Sequence, residues 1–151
     1  MAITMTGEVE LAAPREVVWA KLNDPEVLKV SIPGCEELNK ISDTEFQASV
    51  TAKIGPVKAK FKGKVRLTDL DPPNGYKISG EGEGGVAGFA KGGATVALTP
   101  KNGGTLLSYN VEAQIGGKLA QIGQRLVLGA SKKMADDFFK KFAAAVNPQP
   151  A

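Results

Sequence analysis

Between Glu45 and Ile115 apolar side chains fall on every second residue, and from about residue 117 the spacing changes to nearly four. Alternation sustained this far predicts strands with one face toward a core and one toward water, as antiparallel sheets have. The run EFQASVTAKI sets Phe46, Ala48, Val50, Ala52 and Ile54 on one face. VKAKFKGKVRLTD sets Ala59, Phe61, Gly63, Val65 and Leu67 inward, with lysines between them. YKISGEGEG continues with Ile78, Gly80, Gly82 and Gly84. ATVALTP and GTLLSYNVEAQI complete a meander, the last strand aligning Leu107, Tyr109, Val111, Ala113 and Ile115. Gly55-Pro56 and DPPNG, residues 71–75, supply turns, and GVAGFAKGG reads as a loose hairpin tip.

The second spacing belongs to a helix. Leu119, Ile122, Leu126, Ala130, Met134, Phe138 and Phe142 predict one from about 117 to 146. A stripe repeating every four residues creeps around an axis that turns every 3.6, so it suits a twisted, curved partner. Upstream, ITMTGEVEL alternates Ile3, Met5, Val9 and Leu11 against Thr4, Thr6, Glu8 and Glu10. APREVVWAKLND and DPEVLKVS each place a proline for a first helical turn, and Asp24 can cap the second. The order is strand, two short helices, six strands, long helix. That is an α+β fold, a curved antiparallel seven-stranded sheet wrapped around a long C-terminal helix. One domain is expected over residues 1–147, with 148–151 a disordered tail.

The composition narrows the chemistry. The chain has 151 residues, long enough to bury a core without staples, and a net charge of +3. It has no histidine, which removes Ser-His-Asp and Cys-His nucleophiles. One cysteine with carboxylates is a poor zinc set, so no metal site is expected. Cys35 forms no intramolecular disulfide, which fits a reducing compartment, and it reads as a small apolar residue in the turn SIPGCEE. MAITMTGEVEL lacks the pattern of an export signal, and no apolar run reaches the roughly 20 residues of a membrane span. The expected location is cytoplasmic.

Glycines are the unusual feature. Gly63, Gly80 and Gly82 stand at inward strand positions, and Gly123 and Gly129 interrupt the helix, each at a cost of about 1 kcal/mol against alanine. An inward glycine leaves unfilled volume in an otherwise close-packed interior. Several facing one space point to an apolar pocket; the alternative is that they serve sheet bending and close helix approach. The expected lining is Phe61, Val65, Ile78, Gly80, Gly82, Phe89, Tyr109, Val111, Leu119, Ile122, Gly123 and Leu126. Tyr109 brings a hydroxyl that could meet a ligand carbonyl, or bond to backbone as core tyrosines do. The tip GEGGVAGFAKGG lacks the ending of a phosphate loop and reads as a mobile tip, with Val86 and Phe89 as apolar contacts of a gate.

Lys58, Lys60, Lys62, Lys64 and Arg66 alternate along one strand's wet face. They could meet an anionic membrane or an acidic protein, or be a solvated face paired by Glu81 and Glu83. No aromatics interleave with them, so nucleic acid is not an expected partner.

SIPGCEEL after VWAKLNDPEVL, then IGPVKAKFKGKVRL, then GGKLAQIGQRLV, resemble the family of the G subunit of carbon monoxide dehydrogenase. The resemblance covers about residues 3–145 and implies the helix-grip fold of the START and Bet v 1-like superfamily. It implies a non-enzymatic accessory protein of molybdenum hydroxylases such as carbon monoxide dehydrogenase. Such a protein would hold a hydrophobic ligand (a menaquinone-like quinone, an isoprenoid or a lipid) and link the enzyme to the inner face of the membrane. No covalent cofactor and no catalytic motif follow from it. Family members often continue past the long helix into a membrane-binding segment, whereas this sequence ends at Ala151, so autonomous membrane anchoring is not expected of it unless a surface patch substitutes. Two other readings share the fold. One is a protein-binding assembly or membrane-recruitment factor without a ligand. The other is a cyclase or aromatase-like enzyme, which would need a positioned acid or base in the pocket.

Overall fold

A computed structural model describes residues 1–146; the expected tail lies outside the described residues. The first strand, β1 (Ala2–Leu11), leads into two short helices, α1 (Arg15–Leu22) and α2 (Pro25–Ser31). Six strands follow: β2 (Cys35–Ser42), β3 (Glu45–Ile54), β4 (Val57–Asp71), β5 (Gly75–Glu83), β6 (Phe89–Lys101) and β7 (Gly104–Gly116). The chain ends in α3 (Lys118–Gln121) and α4 (Gln124–Val146). The strands form one antiparallel seven-stranded sheet in the order β1-β7-β6-β5-β4-β3-β2.

Helix α4 packs against β1 and reaches β3, and α2 lies between α4 and β2. One helix about 10 Å wide cannot cover seven strands, so the short helices close the remaining wedge. Asp24 caps α2 by accepting the Glu26 backbone N–H at 3.0 Å, and Pro25 opens the helix as the sequence predicts. The buried Thr105 hydroxyl donates to the Ala13 carbonyl at 2.7 Å, fastening the start of β7 to the chain entering α1.

The core has two parts. The larger gathers Val18, Leu98, Leu107 and Phe142, with Phe138 and Phe139 packed beside them. Burying each such side chain is worth roughly 1.5–3 kcal/mol. The smaller joins Ile3, Ile115, Leu119 and Val127 at the other end of α4.

Two expectations need correction, and one of the six strands expected after the short helices has no run in the sequence that locates it. The helix over 117–146 is two helices. Gly123 has φ +98, a conformation that L side chains rarely adopt, so α3 stops before it and α4 restarts after it. The restart changes the phase of the stripe: Val127 is buried and Leu126 is 55% exposed. The loose tip is a short 3-10 turn, Gly85–Ala87, and its second half is already β6. Finally, β2 carries no alternation of burial, because it is a sheet edge with little core beneath it, so periodicity does not locate it.

Candidate ligand cavity

Because alternate strand residues share a face, the register aligns inner-face side chains into rows across the sheet. One row runs Ala48, Gly63, Gly82, Ala90 and Ile115; the next runs Phe46, Val65, Gly80, Gly92, Ala113 and Ile3. The middle of the concave face is therefore paved with glycine and alanine. A Cβ at Gly80 would meet Lys64 O at 3.4 Å and Val65 Cγ2 at 3.6 Å; one at Gly82 would meet only Lys62 O at 3.8 Å. No helix atom approaches either position, so these glycines face open space and are not points of close helix contact. Gly92 differs: a side chain there would strike the Glu112 carbonyl and Ala113, so its glycine is required by the close approach of β7.

Beside this pavement lies a cavity of about 250 Å³. Leu22 of α1, Leu28 of α2 and Ile32 just beyond it close one side. Phe138 and Phe139 of α4 form the roof, and Leu38, Phe46, Ala48, Val65, Leu67, Tyr76, Ile78, Val96 and Leu107 rise from the sheet. Every lining side chain is hydrocarbon except for the Tyr76 hydroxyl. The Tyr76 ring meets Trp19 of α1 edge-on, with centroids 5.3 Å apart, and its burial pushes the phenol well above its ordinary pKa. An apolar pocket of this kind favours apolar molecules. The wider depressions, of about 510 and 460 Å³, are on the outer face between charged side chains such as Lys62, Lys64, Glu81 and Glu83, where water competes.

Of the residues the sequence nominates, Val65 and Ile78 line the cavity, and Gly80 and Gly82 lie on the inner face next to it. Phe61, Leu119 and Ile122 belong to the second core part, where the Phe61 ring covers Gly84. Val111 faces inward between Met5 and Ala94 but stands outside the lining. Tyr109 also faces inward, yet its ring lies over Gly7 of β1 and stacks on Phe139 at 5.2 Å, with burial and then Asp136 raising its pKa. Phe89 shares the parity of Lys91 and points outward, 45% exposed, its ring against Gly116. Gly123 and Leu126 fall at the helix break, and Gly129 is exposed on α4 with open space around it. Sequence reasoning placed the cavity at the glycine-rich end and missed the half built by α1 and α2. The apolar Leu28 and Ile32 around a short capped helix were the available signal.

The sequence pattern of the family of the carbon monoxide dehydrogenase G subunit, CoxG, matches residues 7–147. A conserved protein from Geobacillus kaustophilus is 38% identical, with a TM-score of 0.89 over 95% of each chain. The chain belongs to the CoxG family. Two more distant structures share the fold of this CoxG-family protein. A Chromobacterium violaceum protein is 20% identical, with a TM-score of 0.72 over 97% of this chain and 99% of its own. An aromatase/cyclase from Streptomyces is 12% identical, with a TM-score of 0.69 over 97% of this chain and 94% of its own. The chain matches no curated protein.

On the outer face of this CoxG-family protein, the basic row of β4 is flanked by carboxylates. Glu83 stands opposite Lys62, Glu81 opposite Lys64, and Glu45 opposite Arg66. Lys60 bonds Glu36 at 3.1 Å, and the Thr51 hydroxyl donates to the same carboxylate. That hydrogen bond first, and Lys60 second, hold the Glu36 carboxyl below its usual pKa. Lys58 pairs in register with Lys53 at the β3–β4 hairpin. Burial pushes the Cys35 thiol up, and its Sγ–H donates to the Glu37 carbonyl at 3.3 Å. Among the described residues no cluster of His, Cys, Asp and Glu could hold a metal ion, and no helix is long and apolar enough to cross a membrane.

Proposed function

We propose that this CoxG-family protein binds a hydrophobic molecule (a menaquinone-like quinone, an isoprenoid or a lipid) in the cavity between the sheet and its helices. The carrying observation is an apolar volume of about 250 Å³ beside a floor of Gly63, Gly80, Gly82 and Gly92. The volume is below the roughly 300–1,000 Å³ of small-molecule sites. It fits a bicyclic quinone head or a short acyl segment, and a longer chain would run out over the glycine floor.

In this reading the protein is a non-catalytic accessory of a molybdenum-containing oxidoreductase of the carbon monoxide dehydrogenase type, acting at the cytoplasmic face of the membrane. The family membership supports the partner. The lining fits a binding role better than acid–base work: it has no carboxylate, lysine or thiol, and burial raises the pKa of its one hydroxyl, that of Tyr76, which makes it a poor proton donor to a substrate.

The test is native mass spectrometry of the purified protein with organic extraction, followed by titration with menaquinone and ubiquinone analogues. One apolar molecule per chain is expected. Gly80→Leu, whose Cβ has room, is expected to fold and to bind at least tenfold more weakly; Gly82→Leu, one row away, should weaken long-chain ligands more than short ones. A wild-type protein that is empty and ignores every apolar ligand would overturn the reading.

A further inference from the structure

Tyr76 is 6% exposed and lines the cavity; its hydroxyl has no hydrogen bond to a described residue, yet it is not sealed off, because the fully buried unpaired side-chain oxygen among the described residues is that of Ser31. Buried tyrosines usually give their O–H a protein partner, and this one is left open to whatever fills the cavity. The neighbouring groups offer none. The Trp19 ring stands at 88° to the phenol, and Leu67, Ile78 and Val96 present hydrocarbon. The high pKa of the phenol keeps it protonated and therefore a donor across the neutral range.

We infer that Tyr76 is the polar anchor of the cavity, and that its hydroxyl donates to a neutral oxygen acceptor on the ligand, a ketone, quinone or ester carbonyl. This rests on the cavity binding an apolar molecule at all. The lining sets the charge as well as the polarity. No lysine or arginine reaches the cavity, so a carboxylate would be buried without a counter-ion, at a cost the hydrogen bond cannot offset. The matching ligand class is therefore a ring-sized neutral carbonyl compound, and a free fatty acid is disfavoured. The anchor also sets an orientation, with the carbonyl end toward α1 and the hydrocarbon remainder toward Val65, Gly80 and Gly82.

Two probes of one shape separate the terms: 2-methyl-1,4-naphthoquinone, and 2-methylnaphthalene, which lacks the carbonyls. Both are titrated calorimetrically into the wild type and Tyr76→Phe. The variant loses only the unpaired hydroxyl and should fold as the wild type does. The expected result is that Tyr76→Phe weakens the naphthoquinone about three- to tenfold and leaves the naphthalene unchanged. The infrared carbonyl band of the bound naphthoquinone should also move up toward its position in hydrocarbon solvent. Equal naphthoquinone affinity with an unmoved band in the variant would overturn the anchor while leaving the cavity standing. A wild type that binds neither probe would overturn the anchor together with the cavity.

Discussion

The ring of Tyr109 on β7 lies over Gly7, its register partner on β1, and occupies the space a side chain at position 7 would need. The other side of that ring stacks on Phe139 of α4, with 19° between the planes. Gly7 thus lets one tyrosine join the edge strand to the helix. Gly7→Ala should force the ring off this seat and cost about 1–3 kcal/mol. The same change in a Tyr109→Ala background should cost little. Urea unfolding of the four proteins gives the coupling, and additive losses would show that the two residues do not share the space.

Gly123 and Gly129 should respond to alanine with opposite signs. Gly123 has φ +98, so Gly123→Ala should destabilise by about 1–2 kcal/mol. Gly129 lies on an exposed side of α4 with nothing within reach of a Cβ, so Gly129→Ala should stabilise by about 0.5–1 kcal/mol. Thermal unfolding of both variants is sufficient. A shift in the same direction for both would contradict the break between α3 and α4.

The hydroxyl of Ser31, fully buried at the end of α2, has no hydrogen-bond partner among the described residues. Removing a dry, unpaired hydroxyl relieves its desolvation cost, and alanine is the better helix former. Ser31→Ala should be neutral or stabilising by up to about 1 kcal/mol. A clear loss in the urea midpoint would mean that the hydroxyl is satisfied in solution.

Glu36 should titrate below the ordinary glutamate range of about 4.3. Its carboxylate is favoured by the Thr51 hydroxyl and by Lys60, so its folded pKa is lower than its unfolded one. Its contribution to stability is then present above the unfolded value and fades as pH falls through the folded value. A carbon-detected NMR titration of the Glu36 carboxyl measures this directly. Thr51→Val should move the midpoint upward, and an unmoved midpoint would make Lys60 the main cause.

Much of the fold was legible because a strand leaves no choice about parity. Once Phe46 or Ile78 faces inward, every second neighbour must follow, so the inner positions of Val65, Gly80, Gly82 and Tyr109 could be read directly. The capped start of α2 was equally local. Failures came where parity was absent or where phase was reset. The edge strand β2 has too little core beneath it to alternate, and the left-handed turn at Gly123 rotates α4 so that Val127 replaces Leu126.

By itself the sequence determined which face of the sheet each residue takes and that the middle of the concave face is nearly bare of side chains. These follow from bond geometry within single elements. Only the tertiary structure decided where that bare face becomes a cavity, because closure depends on Leu22, Leu28 and Ile32 meeting Phe138 and Phe139 from the far end of the chain. It also decided which tyrosine matters there. Tyr109 and Tyr76 share the same inward parity, but Gly7 and Phe139 draw one ring to the sheet edge, while the other stays beside the cavity with its hydroxyl unpaired.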